Sequence, residues 1–148
     1  MKFDADLLVV GAGPGGALAA GKAASLGLKV ILADKEFFPR DKICGDALNG
    51  KVAEVLRRTY PEVLEKLDQQ TAHFPSWGVD FVAPNGEKLK VPFKHDYDTR
   101  DQSPGYISRR LDFDDLLLSS ILEKEQIDFR PGLNIREYRK TENGFEAK

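Results

Sequence analysis

Cysteine is nearly missing: Cys44 is the only one in 148 residues. A single thiol excludes an internal disulfide framework. With only two histidines beside it, His73 and His95, the sequence offers no metal-ligand set. An excess of one charge is missing too. Lys and Arg total 22 against 24 Asp and Glu, and the net charge is −2. That balance argues against a nucleic-acid partner, which would call for a basic surplus. No apolar run approaches the roughly 20 residues that span a bilayer. The opening "MKFDADLLVV" has Asp4 and Asp6 before its short apolar stretch, where a secretory signal would have positive charge. These absences lead to an expectation of a cytoplasmic protein, free to touch a membrane from one side. Disorder is excluded by a hydrophobic share of 41%.

What is present reads as an α/β fold. Residues 5–10, "ADLLVV", form the continuous apolar run of a parallel strand buried on both faces. A glycine-rich turn follows. Residues 14–26 are rich in Ala and Leu and read as a helix, with Pro14 suited to its first turn and Gly27 to its end. "KVILA", 29–33, is a second buried strand, which completes a βαβ unit. Residues 34–48 lose periodicity and read as a long functional loop. Residues 50–68 read as one or two short helices broken at Pro61. Strands near 77–83 and 87–93 flank Asn85-Gly86, a strong tight-turn pair. "YISRR" is a short strand, and "LDFDDLLLSSILEKEQ" is an amphipathic helix. "IDFR", "LNIREYRK" and "GFEAK" are strands, the last two joined at residues 142–144.

The expected organisation is a dinucleotide-binding βαβ unit with the cysteine loop over 1–50. A helix and hairpin follow over 51–104, as the start of a mostly antiparallel substrate region. Residues 105–148 return to the first domain. The chain stops as a hairpin begins its second strand, which would leave an unpaired edge. The expectation is therefore the N-terminal part of a longer protein, inactive by itself.

Gly11, Gly13 and Gly16 form G-x-G-x-x-G, with Pro14 and Gly15 between. Gly11 permits the tight turn, Gly13 lets a pyrophosphate approach the backbone, and Gly16 allows close helix–sheet packing. The helix start then offers free N–H groups and a partial positive charge to phosphates. Asp34 lies 23 positions after Gly11, near the spacing of a carboxylate that accepts from ribose hydroxyls. Its charge disfavours a 2′-phosphate there. The plain alternative for Asp34 is a solvated strand end. An adenine dinucleotide is expected, and this pattern alone does not separate NAD from FAD.

"PRDKICGDAL", residues 39–48, matches a P-R-x-K-x-C-G-D-x-L stretch and resembles the geranylgeranyl reductase group of the para-hydroxybenzoate hydroxylase-like flavoproteins. "RLDFDDLL" resembles the same group's R-x-x-F-D-x-x-L, with Arg110 on the motif arginine and Phe113-Asp114 on the F-D pair. The resemblance implies FAD, with Gly13, Gly15 and Gly16 along the pyrophosphate and Asp34 on the adenosine ribose. Many relatives have Glu in place of Asp34. It implies that the backbone of Gly45, Asp46 and Leu48 approaches the flavin side and that Arg110 reaches the cofactor, with Arg109 as the neighbour that could be confused with it. A strand near Asn134 and Ile135 would meet adenine. Lys35, Arg40 and Cys44 complete the expected cofactor contacts.

Arg40 and Lys42 would favour nearby phosphate and could lower the Cys44 pKa. Cys44 itself has three readings: a pocket wall beside the flavin, a redox-responsive thiol, or a small buried hydrophobe. His73 and His95 read as solvated. Trp77, Phe81 and Phe93 read as hairpin packing. The acidic run at 112–115 reads as helix N-terminal charge.

The resemblance implies an FAD-dependent oxidoreductase that reduces carbon–carbon double bonds of an isoprenoid or lipid substrate, with NAD(P)H or another reductant as electron donor. No catalytic residue is assigned. A flavin monooxygenase or halogenase of the same superfamily is the alternative. A non-catalytic nucleotide-binding module and an NAD-dependent dehydrogenase also stay open.

Overall fold

The structure, a computed structural model, describes residues 4–93, 96 and 102–148. His95 lies outside the described residues. The first elements in chain order are β1 (Leu7–Val10), α1 (Pro14–Ser25), β2 (Val30–Asp34), β3 (Ala47–Leu48), α2 (Gly50–Thr59) and α3 (Pro61–Gln69). Then come β4 (His73–Ser76), β5 (Gly78–Val82), β6 (Lys88–Pro92) and β7 (Gly105–Ser108). The last are α4 (Arg110–Leu122), β8 (Ile127–Pro131), β9 (Tyr138–Thr141) and β10 (Gly144–Ala147). The chain forms two compact units, one of Met1–Lys42 with Leu111–Lys148, the other of Ile43–Arg110.

In the first unit β1, β2 and β8 form a parallel sheet with β2 in the middle. All five residues of β2 are buried, as an apolar central strand requires. β1 departs from the expectation of burial on both faces. Val9 points at α1, its Cγ1 lying 3.4 Å from where a Gly16 Cβ would sit. Side chains alternate along a strand, so Leu8 and Val10 face the other way, and they are 38% and 59% exposed. α1 buries Ala17, Ala20, Ala23 and Ala24, small side chains that let the helix lie close to the sheet. β9 and β10 pair antiparallel around Glu142-Asn143. The strand expected near Asn134 and Ile135 begins later: residues 133–135 join no ladder, while Glu137 exchanges backbone hydrogen bonds with Lys148 at 3.1 and 2.9 Å and continues the β9–β10 pairing. The Leu133 N–H turns back to the Asp34 carbonyl, at 2.9 Å.

The second unit holds an antiparallel sheet in the order β3-β7-β4. β4 was not foreseen. Four residues containing Pro75 carry no readable alternation. Leu48, Tyr106 and Ser108 are buried together with Leu56, Val63, Leu64 and Leu67 of α2 and α3. Asn49 caps α2, its Oδ1 accepting from the N–H of Lys51 and Val52 at 3.1 and 3.2 Å. α3 opens at Pro61, as read from the sequence. β5 and β6 pair from Gly78↔Pro92 to Val82↔Lys88 around a turn where Gly86 has φ +87°. This hairpin is largely exposed, and Phe81 is 58% accessible rather than packed.

Candidate cofactor site

The βαβ crossing places a backbone cradle at the end of β1. The Gly11 N–H donates to the Ala33 carbonyl at 2.7 Å, which extends the β1–β2 ladder by one step. Gly11 then turns with φ +99°, a conformation open to glycine and costly for other residues. Gly13 caps α1 without a side-chain hydrogen bond, and Pro14 takes the first helical position. The first helical bond runs from the Ala17 N–H to the Gly13 carbonyl, at 2.9 Å. The Gly15 and Gly16 N–H groups therefore have no acceptor within the helix. A Cβ on Gly15 would meet nothing within 4 Å, so this side of the cradle is open. A Cβ on Gly16 would lie 1.8 Å from the Gly11 carbonyl oxygen, so only glycine fits. Free amides at the positive end of a helix, beside open space, suit an anionic diphosphate.

Asp34, the last residue of β2, closes the cradle. Its Oδ2 accepts from the Ala12 N–H at 2.6 Å, and its Oδ1 accepts from the Glu36 N–H at 2.9 Å. The carboxylate thus sits on the glycine-loop side of the sheet. It is buried, at 7% exposure, and not a solvated strand end. Each carboxylate oxygen keeps a second acceptor direction, which a sugar hydroxyl can use. The donor set and the open cradle fit the diphosphate and ribose of an adenine dinucleotide, FAD among them.

The remaining expected contacts separate. Lys35 is exposed and 3.6 Å from Glu36 Oε1. Arg40 pairs with Asp114 at 2.8 Å. Asn134 is exposed, one residue beyond the Leu133 link to Asp34. These lie in the unit of the glycine cradle. Cys44, Gly45, Asp46 and Leu48 belong to the other unit, and Arg110, half-buried, opens α4. Cys44 is exposed, so its reading as a buried hydrophobe is corrected. Gly45 has open space at its Cβ position. Asp46 adopts φ 55°, and its carbonyl accepts from the Ser108 N–H at 2.8 Å. Leu48 is buried opposite Tyr106.

Three buried polar contacts escaped the sequence reading. His73 is 4% exposed rather than solvated, with Nδ1 2.6 Å from Ser108 Oγ and Nε2 3.1 Å from Gln70 Oε1. The Tyr106 hydroxyl donates to Asp68 Oδ1 at 2.7 Å. Burial first, and then the Asp68 carboxylate, push the Tyr106 phenol well above its ordinary pKa. Asp114 is 1% exposed and faces Arg40 instead of complementing a helix end in water. For Arg40–Asp114 a signal existed, since both residues lie in the two stretches that carry the family resemblance. Nothing local marks the partners of His73 or Tyr106.

Among the described residues, no group of three or more His, Cys, Asp or Glu is placed to hold a metal, and no helix is long and apolar enough to cross a membrane.

No family model matches the chain. It is 41% identical over 84 residues, 57% of its length, to conditioned medium factor receptor 1 of Dictyostelium discoideum. It is 48% identical over 58 residues, 39% of its length, to menaquinone reductase of Mycolicibacterium smegmatis (strain ATCC 700084 / mc(2)155). It spans only 16% and 14% of those two proteins. Among solved structures, halogenase PltM in complex with phloroglucinol and FAD superposes with a TM-score of 0.79 at 23% identity. That match covers 99% of this chain and 31% of PltM. The chain therefore has a flavoprotein fold of the kind found in FAD-dependent oxidoreductases and halogenases, over a portion of their length.

Proposed function

We propose that this chain carries the adenosine–diphosphate half of an FAD site in an oxidoreductase that reduces a carbon–carbon double bond of an isoprenoid-type substrate. The observation that carries the cofactor assignment is the Asp34 carboxylate drawn onto the glycine loop through the Ala12 N–H. Free N–H groups of Gly15 and Gly16 hold the diphosphate, and Asp34 accepts from the adenosine ribose. The motif resemblance of residues 39–48 and 110–117 further implies a flavin-side role for Gly45, Asp46 and Arg110. When bound and reduced by NAD(P)H or another donor, FAD would supply hydride chemistry to one alkene carbon, and the other carbon would take a proton from solvent.

The apolar substrate has its own support. Ala47, Ile107 and Phe74 lie side by side across β3, β7 and β4, all exposed, immediately after Gly45 and Asp46. Three apolar side chains in one solvent-facing row depart from the polar outer face usual in an antiparallel sheet. The likeness to a menaquinone reductase agrees with a hydrophobic substrate. Such a substrate partitions into lipid, so peripheral membrane contact belongs to the same reading.

The halogenase likeness favours a second reading, in which oxygen receives the electrons. The full-length oxidoreductase that carries this chain, once purified, is expected to show a flavin absorption spectrum, and to consume a polyprenyl alkene under reductant without oxygen. Peroxide or halogenated product formed only in air would replace the reductase with the second reading. Absence of any flavin uptake would remove both.

A further inference from the structure

The segment after Asp34 has no regular structure, yet four of its residues are anchored within one unit. The Glu36 carbonyl accepts from the Gly132 N–H at 3.4 Å. The Phe37 ring lies on Gly132, where an added Cβ would come within 2.7 Å of it. Phe38 meets Phe129 of β8 edge-on, with centroids 6.0 Å apart. Arg40 is the anchor farthest along the chain from β2, and of the four it alone is anchored through a charged side chain. Its guanidinium stands 4.9 Å over the Phe38 ring and 2.8 Å from Asp114. The Asp114 side chain has no exposure, and that of Arg40 is 14% exposed. Nη1 has no well-aligned hydrogen bond, so charge attraction holds the contact. The pair spans 74 positions and joins the two motif stretches, "PRDKICGDAL" and "RLDFDDLL".

We infer that Asp114 is a positioning residue for the cofactor loop. It holds Arg40 and fixes residues 35–42 before cofactor arrives, and Arg40 acts as the held end of that clamp rather than as a phosphate ligand. Only the cofactor arm of the test rests on the flavin reading above.

Amide hydrogen exchange of residues 35–42 in the cofactor-free protein and FAD titration together test this. Asp114→Asn is expected to speed exchange across 35–42 by about tenfold or more and to weaken FAD binding by about tenfold, since it leaves a buried cation unpaired. Arg40→Lys keeps the charge but loses the planar fork and the stacking on Phe38, and should show a smaller change in the same direction. If Asp114→Asn fails to fold, Arg40→Lys decides the exchange arm. The double variant Arg40→Met/Asp114→Leu replaces the pair by apolar groups. It should regain slow exchange and bind FAD within about threefold of the parent, as apolar replacement of a buried pair allows. Unchanged exchange in the single variants would overturn the clamp. A double variant that regains slow exchange but not FAD affinity would overturn it too, by showing that Arg40 touches the cofactor. A parent protein that takes up no FAD would end the flavin reading, and the exchange arm would still decide the clamp.

Discussion

Gly15 and Gly16 are neighbours, and alanine at each should fail in a different way. At Gly16 the new Cβ would stand 1.8 Å from the Gly11 carbonyl oxygen and 3.0 Å from its carbon. Carbon and oxygen rest comfortably at about 3.3 Å. The start of α1 would have to move off β1 by roughly 1.5 Å to restore that distance. Gly11 cannot yield freely, because its N–H is tied to Ala33. Overpacking of this kind costs about 1–3 kcal/mol. In a chain of this size, each kcal/mol shifts Tm by about 2–4 °C. Gly16→Ala should therefore melt several degrees early and lose cofactor affinity through distortion of the whole cradle. At Gly15 the Cβ meets no atom within 4 Å, and the backbone is outside the left-handed region. Stability should hold, or rise by as much as about 1 kcal/mol from alanine's helix propensity. FAD affinity should still fall by about tenfold, equal to about 1.4 kcal/mol, because the methyl occupies the space assigned to the diphosphate. Thermal melting paired with FAD titration reads both effects. Gly15→Ala binding FAD like the parent, or Gly16→Ala melting like the parent, would refute the reasoning.

Asp34→Ala leaves the buried Ala12 N–H without its acceptor and should cost about 1–3 kcal/mol of stability, read by denaturant unfolding. The same change should weaken FAD binding by a further 1–3 kcal/mol, roughly, and unchanged affinity would take Asp34 out of the site. Asp34→Asn should fall between, since one amide oxygen cannot serve both Ala12 and Glu36. Tyr106 makes a pH prediction. Its folded pKa is raised, so the bond to Asp68 adds stability fully below the unfolded tyrosine pKa of about 10, and that contribution declines as pH rises above it. Tyr106→Phe should accordingly be less stable near neutrality, with the gap to the parent narrowing in alkali. A gap independent of pH would contradict this. Cys44 is exposed and should react with a disulfide reagent in the native state at the rate of an open thiol, and slow reaction would contradict its placement.

Much of the βαβ unit was legible. Two short apolar runs, an Ala-rich helix and three glycines at fixed spacing each act locally, so strand, turn and helix could be read without knowing their neighbours. The Asn85-Gly86 hairpin and the Pro61 helix start were readable for the same reason. What escaped depends on contacts between distant residues. Leu8 and Val10 are as apolar as their neighbours, and only the position of α1 on the opposite face explains their exposure. His73 sits in a polar stretch, but its partner Ser108 is 35 residues away. Asp114 reads as helix-end charge, but its partner Arg40 lies 74 positions earlier in the chain. The segment around Asn134 alternates apolar and polar residues as a strand would, yet Leu133 bonds back to Asp34 at the end of β2 and pairing with the end of the chain begins only at Arg136.

The most direct measurement is a structure of the protein with FAD bound. The account predicts diphosphate oxygens about 3 Å from the Gly15 and Gly16 nitrogens, with the Asp34 carboxylate on the adenosine ribose. A diphosphate bound away from the start of α1, or a ribose out of reach of Asp34, would contradict it.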